Sequence, residues 1–445
     1  MKRPHRWWVR RCVTVATVAL LAAGALPQGA GSAADDRTNE GLLPIGRSLE
    51  PGSDAEKTVN SDLAFWGNLA FHGRYDGFRV IDISDPGRPK EMAKVHCPGA
   101  QGDVAVWNTL LFRSVDRPQT EAGCGGDDTA TGVPGFEGIQ IFSVRNPAKP
   151  RLVETVPVDC GAHTMTLVPQ PDRGRVLLYV SSSFPGFFGR SSFGNECQSR
   201  HARIPIVVVP LGRPRDARVV RSFATGGANH CHDIAVHQGV DRAVGACWPR
   251  ANVWDISQPL HPKRLFTFTV DGVDGWHSAS LTWDGRVIVM GWEPGGGSQP
   301  ECEEDDPPVE RSVFFFDLKG KRLGEWTLRR FQTTAENCSI HNYNVVSVLG
   351  RRYVLVSGNF QSGTSVVDFS DPEEPREIAF SDPPPLEPTE LGGVWSSYWY
   401  NGAIYESDIT GGLRIFHPAD PLVPQDMTLF HLNPQTQRDL APYQP

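Results

Sequence analysis

The chain has 445 residues and a formal net charge of −8 at pH 7, with Asp and Glu scattered along it. This length allows two or three ordinary domains, or one long repeat array. No basic stripe that would neutralise phosphates is present, so we do not expect a nucleic-acid partner.

The first 33 residues have the pattern of an export signal. A basic stretch, KRPHRWWVRR, precedes an apolar run at residues 12–26, and small residues follow at 30–34. Small residues after such a run are typical of signal cleavage, and the run is too short for a stable membrane span. Arg10 and Arg11 resemble a twin-arginine signal. We therefore expect a secreted or extracytoplasmic protein, with a permanent N-terminal anchor as the alternative.

After the signal, the chain changes from an irregular stretch to a series of short strands. Residues 34–57 are polar and have no hydrophobic period, which predicts a flexible leader. Segments at 62–66, 69–72, 78–83 and 89–96 then predict a four-stranded meander, because each is rich in β-forming residues and bounded by turn signals.

One phrase recurs along this part of the chain. Its clearest copies are FRVIDISDPGRP, IQIFSVRNPAKP, NVWDISQPLHP and SVVDFSDPEEP, and three weaker copies begin at Ile206, Val313 and Leu413. Self-similarity at spacings of about 45–65 residues is typical of blade repeats. We therefore predict an all-β fold, a seven-bladed β-propeller of four-stranded antiparallel blades over residues 58–445, in which the phrase forms each third strand. A sandwich or two smaller propellers are disfavoured because no Pro/Gly linker divides the array.

Three copies of the phrase carry a resemblance to a known family. VIDISDP, VWDISQP and VVDFSDP resemble the repeats of the LVIVD-repeat family, which consists of exported β-propeller proteins. The resemblance covers most of the mature chain and implies the fold, whereas it implies no activity or cofactor. The Asp that ends each strand (Asp82, Asp255 and Asp368) is expected to accept hydrogen bonds from the following turn.

The cysteines predict a disulfide framework. Of nine cysteines, Cys12 lies in the signal, which leaves an even number, with no C-x-x-C pair. In an exported chain this indicates disulfides rather than metal thiolates. The propeller topology places all eight on one face, either before first strands or in loops between second and third strands, which favours pairing between sequence neighbours. The predicted pairs are Cys97–Cys124, Cys160–Cys197, Cys231–Cys247 and Cys302–Cys338.

Four histidines precede the first strands of consecutive predicted blades at matching positions: His163, His232, His277 and His341. First strands line the axis of a propeller, so these imidazoles are candidate ligands of one transition metal, Cu, Fe or Zn. The arrangement is similar, in architecture alone, to the four-histidine iron site of carotenoid-cleaving oxygenases. Alternatively, the histidines tie neighbouring blades together through hydrogen bonds, and Asp233 is then a candidate partner of His232.

Two functions remain open from the sequence. We favour a secreted binding or scaffold protein that recognises a small-molecule, glycan or protein ligand through its disulfide-braced loops. The alternative is a metal-dependent oxidoreductase that uses the axial histidines. The acidic run at residues 301–306 is expected to be a solvated charge run, with Ca²⁺ binding as the alternative. Motifs of serine hydrolases, P-loop NTPases and zinc proteases are absent.

Overall fold

The computed structural model describes residues 37–49, 59–130, 133–182, 202–227, 230–346, 348, 352–387 and 391–438. The predicted signal at 1–33 lies outside them. The described residues form β-strands and five short 3₁₀ helices, with no α-helix among them. No helix in this part of the chain is long and apolar enough to cross a membrane.

The strands are numbered in chain order. Those of the first half are β1 Thr38–Glu40, β2 Leu42–Leu49, β3 Asn60–Trp66, β4 Leu69–Arg74, β5 Gly77–Asp82, β6 Lys90–His96, β7 Val104–Trp107, β8 Leu110–Gln119, β9 Phe136–Ser143, β10 Arg151–Pro157, β11 Thr164–Gln170, β12 Arg175–Ser181, β13 Arg203–Pro210 and β14 Arg218–Ala224. Those of the second half are β15 His230–His237, β16 Arg242–Trp248, β17 Ala251–Asp255, β18 Lys263–Phe268, β19 Ser278–Leu281, β20 Val287–Gly291, β21 Ser312–Asp317, β22 Arg322–Thr327, β23 Asn342–Val345, β24 Val354–Gly358, β25 Thr364–Asp368, β26 Arg376–Asp382, β27 Val394–Tyr400, β28 Ala403–Asp408, β29 Gly412–Pro418, β30 His431–Leu432 and β31 Thr436–Gln437. The 3₁₀ helices are Pro171–Arg173, Pro214–Asp216, Gln238–Val240, Pro294–Gly297 and Pro308–Arg311.

The strands form antiparallel meanders that are arranged as a propeller. Their first strands contact one another in a closed cycle, in the order β3, β7, β11, β15, β19, β23, β27 and back to β3. The described residues form six sheets, because β23 and β27 pair in parallel and join two meanders into one nine-stranded sheet. The all-β propeller is therefore confirmed, whereas the prediction of seven separate four-stranded blades is met only in part.

Every copy of the recurrent phrase forms the third strand of a meander, on β5, β9, β13, β17, β21, β25 and β29. Neighbouring sheets cover these strands on both faces, so Val253 of β17 and Phe314 of β21 lie in one buried cluster between two sheets. Asp82, Asp255 and Asp368 each accept a hydrogen bond from the backbone N–H two residues further on, at 2.9, 2.8 and 3.0 Å. This contact satisfies a turn donor at the end of the strand, and the predicted role of these residues is confirmed.

The N-terminal described segment completes the nine-stranded sheet. β2 pairs with β29, β1 pairs with β26, and Arg37 is buried within 2.9 Å of Glu406 and 2.8 Å of Asp408. Residues 38–49 thus form strands, which differs from the flexible leader predicted for 34–57. The reason is that β2 is an outermost strand and mostly exposed, so its sequence lacks the regular pattern of buried apolar residues that the other strands have.

The last described strands, β30 and β31, lie at the centre of the ring. β30 pairs with β3, and β31 pairs in parallel with β15. The Asn433 side chain bonds both the N–H and the C=O of Val106, at 2.7 and 3.0 Å, and Thr436 donates to Leu167 at 2.7 Å. We call residues 431–437 the central segment. It contacts the first strands of several meanders near their C-terminal ends.

Candidate functional site

The four predicted histidines lie together at the N-terminal ends of their first strands. His163, His277 and His341 immediately precede β11, β19 and β23, and His232 is the third residue of β15. Their rings form a continuous row, with centroid separations of 4.6 Å from His163 to His232, 3.7 Å from His232 to His277 and 4.6 Å from His277 to His341. Matching positions on neighbouring blades therefore bring all four imidazoles to one place on the axis.

Two of these rings face each other through the same nitrogen. Asp116 contacts Nδ1 of His163 at 2.7 Å, and Asp233 contacts Nδ1 of His232 at 3.1 Å. An ionised carboxylate at either position favours the tautomer with its proton on Nδ1, which leaves a lone pair on Nε2, whereas a protonated Asp233 would donate to Nδ1 of His232 and leave the ring proton on Nε2. The two Nε2 atoms are 2.9 Å apart. At this distance they form a hydrogen bond if one of them carries a proton, and they offer two lone pairs to a cation if neither does.

The other two histidines share a carboxylate that the sequence analysis did not single out. Nε2 of His277 and Nε2 of His341 each lie 3.3 Å from an oxygen of Glu293. Nδ1 of His341 donates to the Trp395 carbonyl at 2.5 Å, so its Nε2 also carries a lone pair towards Glu293. His277, Glu293 and His341 are buried, and one ligand atom from each lies within 4.8 Å of the others. Among the described residues they are the only such group of three.

Burial disfavours the charged forms of several groups at this site. It lowers the pKa of His232 and His277 well below 6.5, with help from the neighbouring imidazoles, and it lowers the pKa of His341 to about 3. Burial also raises the pKa of Glu293 well above 4.5 and that of Asp233 to about 7. The imidazoles of His232, His277 and His341 are therefore neutral nitrogen donors at neutral pH. A bound cation would favour the ionised carboxylates that burial opposes.

A cavity of about 480 Å³, which we call the axial cavity, lies against these imidazoles. All four histidines and Glu293 line it. Its other walls are largely aromatic and aliphatic, and they include Tyr75, Trp248, Phe360 and Trp395. The volume is within the range of small-molecule sites.

Disulfides brace the chain around this cavity. The structure contains the bonds Cys97–Cys124, Cys231–Cys247 and Cys302–Cys338, which are three of the four predicted pairs. Cys231 itself lines the cavity, and Cys338 follows the lining residue Asn337. Cys197 lies outside the described residues, so its pairing with Cys160 remains a prediction. The three bonds indicate an oxidising, extracytoplasmic environment.

Glu293 could not be identified from its local sequence, WEPGGGS. It follows β20 on the face where the histidines lie, and only the closing of the ring brings it between two of them. The acidic run at 301–306 contributes to no comparable ligand group among the described residues.

Comparisons with known proteins assign no family to the chain. No protein-family model matches the chain, and no curated protein matches its sequence. Among solved structures, the Dos1 propeller has 12% identity over 80% of this chain and 78% of its own, with a TM-score of 0.48. A candidate 6-phosphogluconolactonase from Bacteroides uniformis has 10% identity over 79% of this chain and 89% of its own, with a TM-score of 0.49. A functionally unknown protein from Desulfotomaculum acetoxidans has 10% identity over 73% of this chain and 89% of its own, with a TM-score of 0.47. At these identities the likeness concerns the propeller fold alone.

Proposed function

We propose that the protein is a secreted metal-dependent oxidoreductase. In this proposal, one transition-metal ion, Cu, Fe or Zn, is bound by axial histidines with Glu293, and a small molecule reacts in the axial cavity. Neutral imidazoles with one carboxylate suit these metals. This order reverses the preference that the sequence alone gave, in which a binding or scaffold role came first.

The facing nitrogens of His163 and His232 carry the proposal. Each ring is oriented by a carboxylate behind it, as is usual for histidines that bind metals. The 2.9 Å between their Nε2 atoms brings two potential nitrogen ligands together. Burial lowers the pKa of His232 well below 6.5, which disfavours a charged imidazolium at this position. With the ring protons on Nδ1, a metal ion would accept both lone pairs.

The alternative role of the histidines, as ties between blades, accounts for only part of these contacts. His163 reaches Asp116 at the end of β8 and His341 reaches Trp395 in β27, and both bonds join neighbouring meanders. A hydrogen bond between blades, however, needs no second imidazole opposite Nε2 of His163. It also does not explain a buried carboxyl between two further histidines.

A ligand-binding role without chemistry is the second candidate. The observation that favours it is the axial cavity itself, which is large enough for a small molecule and is lined by Cys231 and by Asn337, the residue before Cys338. In that case the same cavity recognises a small-molecule, glycan or protein ligand, and the imidazoles serve as hydrogen-bonding groups.

Elemental analysis of the exported, disulfide-intact chain tests the metal site. We expect about one Cu, Fe or Zn ion per chain, and less than about a tenth of that in a His163→Ala/His232→Ala variant. His237→Gln is the matched control, because His237 is a buried histidine of β15 that bonds the Trp283 carbonyl at 3.0 Å and does not line the cavity. Circular dichroism shows whether each variant is folded. A folded parent that takes up no metal on reconstitution would contradict the proposal.

Two further measurements separate the competing roles. Asp116→Asn should lower metal affinity about 10–100-fold in a chelator competition, because Asp116 orients His163, whereas loss of a tie alone would lower only stability. Reductive titration followed by absorption and electron paramagnetic resonance tests the oxidoreductase role. A native site that holds only Zn would exclude electron transfer by the metal itself, because Zn²⁺ has no redox chemistry, and would leave it the role of a Lewis acid.

We also propose two finer assignments. Counting the nine-stranded sheet as two blades gives seven, which agrees with one copy of the phrase per blade. Membership of the LVIVD-repeat family rests on the phrases themselves.

A further inference from the structure

The walls of the axial cavity indicate which molecules it admits. Tyr75, Trp248 and Trp395 are partly exposed into it, and Phe360 is buried beside His341 at a centroid distance of 4.4 Å. Aromatic walls on several sides favour a flat, apolar ligand, because ring faces and edges gain contact area without needing polar partners.

These walls are held in place by close approach to glycines. A Cβ on Gly275 would lie 2.4 Å from the Trp248 ring, and the indole N–H donates to the Trp276 carbonyl at 3.2 Å. A Cβ on Gly297 would lie 2.3 Å from Phe360. Both aromatic side chains are therefore fixed against backbone. A preformed wall of this kind loses little conformational freedom when a ligand binds.

The charged groups of the cavity disfavour a charged ligand. Among the described residues that line it, none is Lys or Arg, so an anion meets no counter-charge. The two acidic residues are Asp116 and Glu293, and both contact imidazoles at 2.7–3.3 Å. A cation would therefore compete with those contacts. The remaining polar groups include Gln101 and Asn337, which are suited to single hydrogen bonds.

We propose that the axial cavity binds an uncharged aromatic molecule, placed between the Trp248 and Trp395 walls and in front of the imidazoles. This inference deepens the proposed function and rests on it for the chemistry. The binding preference itself concerns the cavity walls and is measurable without metal.

Three probes of matched shape test the preference: neutral 2-naphthol, anionic 2-naphthoate and cationic 2-naphthylmethylamine. Equilibrium dialysis of the metal-free full chain at pH 7 gives their affinities. We expect 2-naphthol to bind at least about tenfold more tightly than either charged probe, because a charge in an apolar cavity without a partner is costly. Equal or tighter binding of a charged probe, or no binding of any probe, would overturn the proposal.

Two variants locate the binding. Trp395→Ala should weaken 2-naphthol about tenfold, because it removes one aromatic wall while the backbone carbonyl that His341 bonds remains. Leu391→Arg should raise the affinity for 2-naphthoate about tenfold, because Leu391 lines the cavity and is 56% exposed, so the new guanidinium can reach the ligand. Leu265→Arg, at an exposed position of β18, is the control for added charge and should change neither affinity. Unchanged affinities in both cavity variants would place the ligand elsewhere.

The experiments can contradict the oxidoreductase and the uncharged aromatic ligand independently of each other. A parent that takes up no metal on reconstitution but prefers 2-naphthol would keep the cavity assignment and remove the oxidoreductase. A parent that takes up metal but prefers 2-naphthoate when it is metal-free would keep the metal site and remove the uncharged ligand.

Discussion

Buried histidines in this chain occupy two different environments. His72 of β4 lies away from the axial cavity, and its Nε2 contacts the Ser407 hydroxyl at 2.8 Å. Its pKa is well below 6.5, because of burial first and then the positive charges of Arg79 and Arg74. The axial histidines face one another and a carboxyl instead. Only the second environment brings several ring nitrogens together as potential metal ligands.

The buried, neutral state of His72 predicts a stability that decreases in acid. The unfolded chain takes up a proton on His72 as the pH falls through about 6.5, whereas the folded chain does not. The contribution of neutral His72 to the unfolding free energy is therefore present above pH 6.5 and is lost below it. We expect the unfolding free energy of the parent, relative to His72→Gln, to fall by about 1.4 kcal/mol between pH 7.5 and 5.5. Urea unfolding at several pH values measures this difference, and parallel pH profiles would contradict it.

The sequence was sufficient to predict that the four histidines lie together, but not to predict their acidic partner, Glu293. His163, His232, His277 and His341 could be predicted because each occupies the same place in its repeat, so the repeat period itself aligns them. Glu293 occupies no repeated place. Its position between two imidazoles depends on the path of one loop, which no periodic pattern determines.

At the scale of the element, the turn after each third strand repeats with the same chemistry. Asp255 accepts the backbone N–H of Ser257, and this hydrogen bond lowers its pKa below the usual value of 3.8. The contact satisfies a donor that would otherwise compete with the strand ladder. Asp82 and Asp368 make the same contact in their own copies of the phrase.

Asp255→Ala should therefore destabilise the protein by about 1 kcal/mol, the usual contribution of one such hydrogen bond. Asp255→Asn is the matched control and should cost less, because its amide oxygen accepts the same bond. Denaturant unfolding of the three proteins measures both differences. Equal losses in the two variants would show that the carboxylate charge, rather than the hydrogen bond, stabilises the turn.

Strands with a repeated pattern could be predicted, and pairings between units could not. The predicted segment 62–66 corresponds to β3, Asn60–Trp66, because its apolar residues are buried within one meander. The parallel pairing of β23 with β27 involves two residue pairs between neighbouring units, Asn342 with Ser396 and Tyr343 with Ser397. Such short contacts leave no pattern in the sequence. This is why the nine-stranded sheet was not foreseen.

At the scale of the whole molecule, a buried ion pair fastens the N-terminal segment. Arg37 lies between Glu406 and Asp408 of β28, and all three side chains are buried. Burial raises the pKa of Glu406, and the Arg37 guanidinium opposes that rise. This ion pair accompanies the pairing of β2 with β29, and few substitutions of its three residues would preserve it.

Removing this guanidinium should be costly. Arg37→Met leaves two carboxyls buried without their nearest cation, and we expect a loss of about 3–5 kcal/mol in unfolding free energy. Arg37→Met/Glu406→Gln should recover part of that loss, because one of the uncompensated charges is removed. Chemical denaturation measures both variants. A double variant less stable than Arg37→Met alone would contradict this explanation.

The attachment of both chain ends has a consequence for folding kinetics. Most meanders are built from contacts between residues that are near in sequence, and such contacts form quickly. Leu42 and Pro418 are instead direct register partners across most of the chain, and Asn433 bonds Val106. These contacts carry a large loop-closure entropy. Assembly is therefore expected to be rapid within each meander and slow at the last step, the joining of the two ends. A chain arrested at that step would present the unpaired edge of β29 to other molecules.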